Sequence, residues 1–521
     1  EPLSRWCSDH GIALTGHPAQ SDEIGLLRHF QIPGQDLVLR WVAPEDEKGI
    51  TGRDSTLAKC CADAARHAGR MRNAVEYLGC CVRNQPAQGW DLPPEDMKWY
   101  LDWLAVRGVN LFIPHAFYYS LRGQRAGERP PDVGPAQTWW SEYRDWARYM
   151  KRLSHLMTGC VTINPVAVLC TDDHLPWKIA RILLENQLDF NYLEESYLSA
   201  TACIRDSRLV VGPYAYRSIL VEDPALFSDS TREKLAECRR AGLDLIIWPD
   251  HADEAGNPWL AKLLSASPVS VRGRTDPDTP LDSLRITCQQ RGDDQFVLMT
   301  NEGTCDLDFF LTVRFTQQKP VLWDPWAGSW SSVPAKNRNE GLEFCMQLLE
   351  HQSLVLLFTG VVNKLAGHFP EELMGSCMNK PTEIRHLDGQ WTLSFPATGL
   401  SVMRDSSELV SWQLILEDPT FSGQAVYATV FHLKQQETGS VILDLGEVHD
   451  AATVFVNDNK TVTQYWHPYR YDITHAVQPG DNTLTVTVMN SISCRMDRIA
   501  KTSGLLGPVR LELTIGDLIT V

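Results

Sequence analysis

Two apolar segments of the chain end in polar side chains of the types that enzymes use. RNAVEYLGC, residues 72–80, carries Glu76, and VNLFIPHAFYYS, residues 109–120, carries His115. A glycine-containing loop and an amphipathic stretch with helical periodicity separate the two segments. In a (β/α)8 barrel, catalytic groups lie where strands end and loops begin. The segments are therefore predicted to be barrel strands, with Glu76 and His115 as candidate site residues.

Other polar and aromatic residues lie at the ends of neighbouring predicted strands or in the loops that follow. The expected substrate-binding set is His17, Trp41, Tyr77, Trp90, His115, Tyr118 and Tyr119. Either histidine could form hydrogen bonds with hydroxyl groups or steady the carboxylate, and a satisfied structural histidine is the alternative. Aromatic rings offer a flat surface to the C–H face of a sugar, with core packing as the alternative. The set favours an enzyme that acts on sugars.

The composition excludes several classes of partner. The 521 residues are 43% hydrophobic and 22% charged, as in soluble globular proteins, and the length predicts three or four domains. The formal charge of -17 and the pI of about 5.3 argue against a nucleic-acid groove, because phosphate binding requires concentrated Lys and Arg. No apolar run reaches the roughly 18 residues of a membrane helix. The expected partner is a carbohydrate, with neither nucleic acid nor a membrane.

The 14 cysteines lack the spacing of a metal site or of a disulfide framework. Cys60 and Cys61 are adjacent, as are Cys80 and Cys81, so neither pair is a CxxC motif. Buried free thiols are typical of a reducing compartment, which favours a cytoplasmic location. No leader is visible before Glu1, so a periplasmic or secreted location stays open. No metal site is predicted from the cysteines.

Residues 1–120 alternate short apolar runs with helical patterns, as βα repeats do, and a domain is predicted over residues 1–160. Strands are predicted over residues 12–17, 36–42, 73–79 and 109–115, and helices over 54–66 and 92–106. A complete (β/α)8 barrel needs eight strands, so these four would form its C-terminal half. We expect the first half to precede Glu1, and a smaller α/β sheet is the alternative.

Three further domains are predicted from the pattern. Residues 161–278 suggest a flavodoxin-like α/β domain with parallel strands over 166–170, 209–215 and 243–249. No GxGxxG motif follows any of them, so a dinucleotide cofactor is not expected. Residues 279–362 have the strand pattern of a small β-sandwich, and residues 380–521, after a polar link, that of a jelly roll.

The last domain contains FSGQAVYATVF, VILDLGEVHDAATVFVNDNKTVTQYWHPYRYDIT, PGDNTLTVTVMN and SGLLGPVRLEL, in that order. This series resembles the galactose-binding-like jelly roll that many glycoside hydrolases carry. The resemblance implies either a packing module or a domain that binds carbohydrate directly.

The segments RGVNLFIPHAFYYS, ERPPDVGP, the helix with Trp139 and Trp140, and DFNYLEE resemble the α-L-rhamnosidases of glycoside hydrolase family 106. The order of half-barrel, flavodoxin-like domain and small β domain is also similar to that of family 42 β-galactosidases. Both resemblances imply hydrolysis of a glycosidic bond to a terminal sugar.

The resemblance gives Glu76 a role. It would be the general base that activates water in a family 106 enzyme, or the nucleophile in a family 42 enzyme. An ion pair of Glu76 with Arg72 or Arg83 is the structural alternative. The acid that protonates the leaving oxygen lies on an earlier barrel strand in these families, so it is expected upstream of Glu1. Within the chain the possible substitutes are Asp9, Asp22 and Glu23, each of which also suits a solvated loop or a helix cap.

The resemblance implies no organic cofactor, and it leaves calcium possible because some relatives use it. No Asp-rich calcium loop is present in the sequence. Arg129 and Asp132 in ERPPDVGP would either fold over the mouth of the site or form a loop salt bridge. Two alternatives to an enzyme stay open: a non-catalytic carbohydrate-binding assembly, and a mainly structural chain whose flavodoxin-like domain forms a homo-oligomer, specifically a trimer.

Overall fold

The structure is a computed structural model that describes residues 1–37, 41–44, 47–79, 89–115, 117–127, 133–248, 258–359, 383–434, 440–461 and 463–514. The chain divides into two compact units. Unit 1 comprises Glu1–Tyr77, Trp99–Pro114 and Tyr149–Met374, and unit 2 comprises Leu78–Lys98, His115–Arg148 and Gly375–Val521. No helix in the described ranges combines the length and apolar character that a membrane crossing requires.

The helices are α1 Pro2–Asp9, α2 Ile24–Leu27, α3 Leu57–His67, α4 Pro94–Val106, α5 Tyr143–Met157, α6 Trp177–Glu185, α7 Glu195–Ala200, α8 Asp229–Arg240, α9 Pro258–Ala266 and α10 Ser493–Met496. The strands of unit 1 are β1 Thr15–Gly16, β2 Ile32–Leu37, β3 Ala74–Tyr77, β4 Leu111–Pro114, β5 Val161–Thr162, β6 Val166–Cys170, β7 Asn191–Glu194, β8 Cys203–Arg205, β9 Arg208–Val211, β10 Tyr214–Tyr216, β11 Ser218–Val221, β12 Asp244–Ile247, β13 Val269–Gly273, β14 Leu284–Arg291, β15 Asp294–Asn301, β16 Leu307–Val313, β17 Val321–Trp323, β18 Trp330–Ser332, β19 Ala335–Arg338, β20 Gly341–Leu348 and β21 Ser353–Phe358. Those of unit 2 are β22 Glu383–His386, β23 Gln390–Phe395, β24 Leu400–Asp405, β25 Gln424–Leu433, β26 Ser440–Asp444, β27 Glu447–His449, β28 Ala451–Val456, β29 Asn459–Lys460, β30 Arg470–Asp472, β31 Gly480–Met489, β32 Gly504–Gly507 and β33 Arg510–Thr514.

The first sheet of unit 1 contains four parallel strands in the order β1-β2-β3-β4. Each strand lies beside its neighbour in sequence, as in the consecutive βα repeats predicted for this region. The described residues form this open sheet and no closed barrel, so a complete (β/α)8 barrel is not seen. Helix α3 packs against β2 and also against β7 of the next sheet.

The second sheet of unit 1 is also parallel, with the order β12-β11-β6-β7. The prediction of a parallel strand over residues 209–215 is wrong. Those residues form most of an antiparallel hairpin, β9 and β10, which turns at Gly212 with a φ of 54°. The parallel strand is instead Ser218–Val221, a short buried run that follows the hairpin directly. Gly212 and Pro213 are turn residues, and they interrupt the apolar run.

Two antiparallel sheets of unit 1 pack face to face around one apolar core. Their orders are β13-β16-β20-β19 and β18-β17-β21-β15-β14-β5. The core includes Met299, Phe309, Phe344 and Phe358, all of which are buried. Strand β5 adds to the edge of the second of these sheets by pairing with β14.

The main sheets of unit 2 form a second β-sandwich, with the orders β22-β33-β26-β30 and β24-β23-β25-β31-β28-β29. Strands β25 and β31 pair over ten residues each, and Trp391, Trp412 and Tyr427 are buried in the core. The coarse organisation predicted from the sequence, several mixed α/β and all-β parts, is confirmed.

Candidate active site

Three polar side chains meet at the carboxyl-terminal edge of the first sheet. His17 directly follows β1, Asp36 lies near the end of β2, and Glu76 lies near the end of β3. One nitrogen of His17 and one oxygen of each carboxylate lie within 4.8 Å of one another. His17 Nε2 is 3.6 Å from Asp36 Oδ2. Glu76 and Asp36 are half-buried and His17 is exposed, so the cluster is accessible to solvent.

Strand register brings the two carboxylates together. In the parallel pairing of β2 with β3, Asp36 is the direct partner of Glu76. Side chains alternate between the two faces of a strand, so Glu76 projects on the face opposite to those of Val75 and Tyr77. Val75 and Tyr77 are buried, and they hold β3 in the core. Asp36 and Glu76 are therefore neighbours on one face of the sheet.

Gly34 lets β1 approach β2 closely. A Cβ atom at Gly34 would lie 2.6 Å from the carbonyl oxygen of Gly16, which is closer than real contacts allow. Only glycine avoids this clash, so its presence in β2 permits the pairing that places His17 beside Asp36.

The loop after β1 is held by ionic and polar bonds. Asp22 pairs with Arg53, and Ser21 Oγ donates to Asp54 Oδ1 at 2.6 Å. Glu23 Oε2 accepts from the backbone N–H of Gln20 at 2.9 Å. Two of the three substitute acids named from the sequence, Asp22 and Glu23, therefore have local structural bonds.

Two other predicted substrate-binding residues of unit 1 have different surroundings. Tyr77 is buried, its ring packs edge-on against Phe112 at 6.3 Å, and its hydroxyl lies 3.1 Å from Met150 Sδ. Strand alternation turns the Tyr77 side chain away from the face that carries Glu76, so it packs in the core of unit 1. Trp41 is 42% exposed and follows a gap in the described residues at 38–40.

The remaining predicted residues belong to unit 2, where three of their rings form a cluster. Tyr118 lies edge-on to Trp90 at 6.4 Å and to His115 at 6.3 Å. Trp90 is buried and donates from Nε1 to the carbonyl oxygen of Ala126 at 2.8 Å. His115 Nδ1 is buried and has no hydrogen-bond partner among the described residues. Tyr119 is 88% exposed.

Two tryptophans of unit 2 are packing residues. Trp139 and Trp466 are buried in unit 2, and both contact the ring of Trp146. The loop residues Arg129 and Asp132 and the arginine at position 83 lie outside the described residues. Arg72 bonds to the carbonyl oxygen of Asn110 and to Ser154 Oγ.

The cluster of His17, Asp36 and Glu76 has a donor set that can bind a metal ion. Calcium takes six to eight oxygen ligands, which the two carboxylates could supply in part. An imidazole is a ligand of transition metals rather than of calcium, so the three residues together do not fit calcium.

Asp36 is the residue of this cluster that the sequence prediction omitted. The strand was predicted over residues 36–42, which placed Trp41 at its end, whereas β2 covers Ile32–Leu37. The polar pair Gln35-Asp36 followed by apolar residues was the available signal, because polar groups near a strand end are typical of a barrel site.

Comparison with known proteins gives matches to glycoside hydrolases. Residues 418–509 match the family described as glycosyl hydrolase 2 galactose-binding domain-like. A protein of Formosa agariphila named "Putative beta-glucuronidase" is 32% identical over 110 residues, which are 20% of this chain and 10% of that protein. The rhamnosidase from Novosphingobium sp. PP1Y aligns over 98% of this chain and 54% of its own, with a TM-score of 0.72 and 20% identity.

The chain spans about half of the rhamnosidase, at 54%, and about a tenth of the Formosa protein, at 10%. At 20% identity, the likeness to the rhamnosidase shows a shared fold. The match over residues 418–509 identifies a galactose-binding-like domain in unit 2. Taken together, the matches show a fold shared with part of a rhamnosidase and a domain of the glycosyl hydrolase 2 galactose-binding type.

Proposed function

We propose that this chain supplies one side of the active site of a glycoside hydrolase that removes a terminal sugar, with α-L-rhamnosidase-like activity and Glu76 as the catalytic carboxylate. The observation that carries the proposal is the group of Glu76, Asp36 and His17 within 4.8 Å at the carboxyl edge of a parallel sheet. Glycosidic cleavage passes through a transition state with positive charge at the anomeric carbon. Two neighbouring carboxylates at a strand edge stabilise such charge.

In the proposed mechanism, Glu76 acts as general base and takes a proton from the water that attacks the anomeric carbon. Asp36, which lies beside it, adds negative charge opposite the developing cation. His17 holds Asp36 in place through their 3.6 Å contact. A separate carboxylic acid must protonate the leaving oxygen.

The separation of the two carboxylates supports an acid outside the cluster. An inverting pair is about 6.5 to 9.5 Å apart, because a water must fit between acid and base. Asp36 and Glu76 approach within 4.8 Å, which leaves no such room. The chain covers 54% of the rhamnosidase's length, and the acid in this proposal lies outside the cluster of His17, Asp36 and Glu76.

A β-galactosidase-like retaining hydrolase is the second candidate, because retaining enzymes hold their two carboxyl groups only about 5 to 5.5 Å apart, and Asp36 and Glu76 are direct partners on adjacent strands. In that case Glu76 attacks the anomeric carbon while Asp36, in its protonated form, gives its proton to the leaving oxygen, and a glycosyl ester forms. Asp36 then takes a proton from the water that breaks the ester and releases the sugar. Proton NMR of the first-formed anomer separates the two mechanisms, since inversion and retention give opposite anomers.

The proposal is tested with nitrophenyl glycosides and the protein from the complete open reading frame. Glu76→Gln should lower kcat by about 10²- to 10⁴-fold, because it removes proton transfer or the nucleophile while keeping the side-chain shape. Glu340→Gln, in an exposed pair with Arg314, is the matched control and should keep full activity. Unchanged turnover in Glu76→Gln would refute the role of Glu76. Sugar binding by calorimetry without any sugar release would instead establish a non-catalytic binding protein.

A further inference from the structure

The second parallel sheet has the topology that creates a ligand crevice. Its order is β12-β11-β6-β7, so the chain passes from β6 to β7 on one side and then returns to place β11 on the other side of β6. The direction of winding therefore reverses between β6 and β11. In open α/β sheets, ligands bind outside the carboxyl ends of the strands at such a switch point.

A cavity of about 140 Å³ lies at this point. Thr171 and His174, in the loop after β6, line it on one side, and Glu222 and Asp223, directly after β11, line it on the other. A single water needs roughly 10–15 Å³, so the cavity has room for a small organic molecule. Topology and the observed cavity thus agree on the same place.

The two carboxylates that line the cavity are oriented by backbone groups. Asp223 Oδ1 accepts from the N–H of Ala225 at 2.8 Å, and Glu222 Oε2 accepts from the N–H of Ile179 at 3.4 Å. Each bond uses one oxygen, and an ionised carboxylate has about four acceptor positions. Ile179 is in the first turn of α6, so a protein carboxylate already occupies the position where a phosphate would bind to a helix N-terminus.

The rest of the lining is apolar. Leu169, Pro176 and Phe227 form part of the wall, and all three are buried in the fold. The cavity therefore combines an apolar face with an edge of hydrogen-bond acceptors. A pyranose ring has the complementary form, with C–H groups on one face and hydroxyl donors around its rim.

We propose that this switch-point cavity is a second binding site of the chain, for a neutral monosaccharide or the end of a glycan. Glu222 and Asp223 accept hydrogen bonds from sugar hydroxyls, and the apolar wall contacts the ring face. Their negative charge excludes phosphate esters. The proposal goes beyond the hydrolase function and holds whether or not Glu76 is catalytic.

Other occupants fit the cavity less well. Among the described residues, only His17, Asp36 and Glu76 bring three metal-ligand atoms within 4.8 Å of one another, so the cavity is not preformed for a cation. Burial raises the pKa of the Cys170 thiol well above its ordinary value, so this thiol is not a nucleophile toward a bound molecule.

The cavity loop is also bonded to the element that joins the candidate catalytic strands. The carbonyl oxygen of Asp172 accepts from the N–H of Gly25 at 2.8 Å. Gly25 is in α2, which connects β1 to β2 and so connects His17 to Asp36 along the chain. A bound sugar would therefore order a loop in direct contact with the segment between those two residues.

The proposal is tested by isothermal titration calorimetry of the complete protein with L-rhamnose, D-galactose, inorganic phosphate and ethylamine. At least one sugar should bind, and the double variant Glu222→Gln/Asp223→Asn should weaken that binding about tenfold or more, because it removes two charged acceptors. Glu233→Gln, exposed on α8, is the matched control. Glu76→Gln should retain the binding component that the double variant loses, which separates this site from the catalytic one.

A second variant tests the site independently, in case the double variant does not fold. Leu226 lines the cavity and is 50% exposed, so Leu226→Trp should fill the space without disturbing the core, with circular dichroism unchanged. Loss of sugar binding in both variants supports the site. The proposal is overturned if no sugar binds, if both variants bind sugar as the control does, or if the binding that they lose is that of phosphate or ethylamine.

Discussion

Unit 1 contains two four-stranded parallel sheets whose carboxyl edges differ. The sheet β1-β2-β3-β4 follows the order of the sequence, and its two carboxylates are on the strands themselves, where Asp36 pairs in register with Glu76. The sheet β12-β11-β6-β7 reverses its winding, and its carboxylates Glu222 and Asp223 follow β11 in a loop. The first arrangement yields a tight cluster and the second an open cavity.

The difference shows two ways in which a parallel sheet builds a site. In-register residues on adjacent strands are about 5 Å apart, so they suit groups that must act on one atom. A switch point instead separates the loops that leave two neighbouring strands, so it makes room for a whole ligand. The geometry of the first sheet therefore suits a catalytic site, and that of the second suits a ligand-binding site.

Helix α3 contacts both sheets and carries buried charges toward the second. Asp63 accepts from Arg66 Nη1 at 2.6 Å and from the N–H of Tyr192 in β7 at 2.8 Å. Lys59 donates to Asp189 Oδ1 at 2.8 Å. Burial raises the pKa of Asp63, while the charges of Lys59 and Arg66 act to lower it.

The largest expected effect comes from breaking this connection. Asp63→Ala should lower the free energy of unfolding by about 3–5 kcal/mol, because it leaves Arg66 charged and buried without its partner. Activity and cavity binding should then fall together. Urea denaturation measures the change, with Asp229→Ala in an exposed pair as the control, expected to cost under about 1 kcal/mol. A cost of similar size in both variants would contradict a structural connection through Asp63.

The next prediction tests whether the first sheet can lose activity while the second keeps its ligand binding. Asp36→Asn should lower kcat for an aryl glycoside about 10²-fold, the scale for one group that stabilises transition-state charge. Sugar binding at the switch-point cavity should stay unchanged, because the cavity residues follow other strands. Asp229→Asn serves as the matched control. A rise in KM with kcat unchanged would show that Asp36 binds substrate uniformly, without a specific role in the transition state.

A pH effect should originate at the end of α3, where His67 Nε2 lies 2.8 Å from the hydroxyl of Tyr216. Burial and the charge of Arg66 lower the pKa of His67 to about 3. The unfolded chain binds a proton near its ordinary pKa of 6.5, whereas the folded chain does not. Stability is therefore complete above pH 6.5 and falls as the pH drops toward 3, by at most about 1.4 kcal/mol per pH unit.

His67→Gln keeps a polar group near Tyr216 and removes the titration. Thermal unfolding of this variant should depend less on pH between 6.5 and 4 than that of the unmodified protein. Parallel pH curves for the two proteins would show that His67 is already accessible to protons in the fold.

The smallest expected effect is a loss of stability at the start of α8, which lies in the second α/β region of unit 1. Ser228 caps α8, and its side chain accepts from the N–H of Thr231 at 3.3 Å. Ser228→Ala should lower the free energy of unfolding by about 1 kcal/mol, the usual cost of losing an N-cap, while Ser228→Thr should cost less. Hydrolysis should be unaffected in both. A loss of kcat in Ser228→Ala would mean that the two sheets are coupled more tightly than their separate edges suggest.

Elements with a simple apolar pattern were predictable. The uninterrupted run VAVLC forms β6 at the predicted residues 166–170, and the helix predicted over 92–106 begins two residues later, at Pro94, and ends at Val106. Glu76 was identified because a lone carboxylate in an apolar strand is conspicuous. Asp36 was missed because LVLRWV has a stronger strand pattern than IPGQDL, which contains proline and glycine. The prediction of a parallel strand over residues 209–215 was wrong for a related reason, because an apolar run does not indicate which sheet the strand joins.

The order of the amino acids alone indicates the alternation of α/β and all-β parts, the acidic charge and a carboxylate at the end of an apolar strand. These properties depend on periodicity and composition, which are local. The tertiary structure decided which groups meet. Asp36 reaches Glu76 through strand register, and His17 reaches Asp36 through the close approach that Gly34 permits. The cavity at Glu222 and Asp223 exists because β11 returns to the far side of β6, and strand order is set by long-range packing that no short segment encodes.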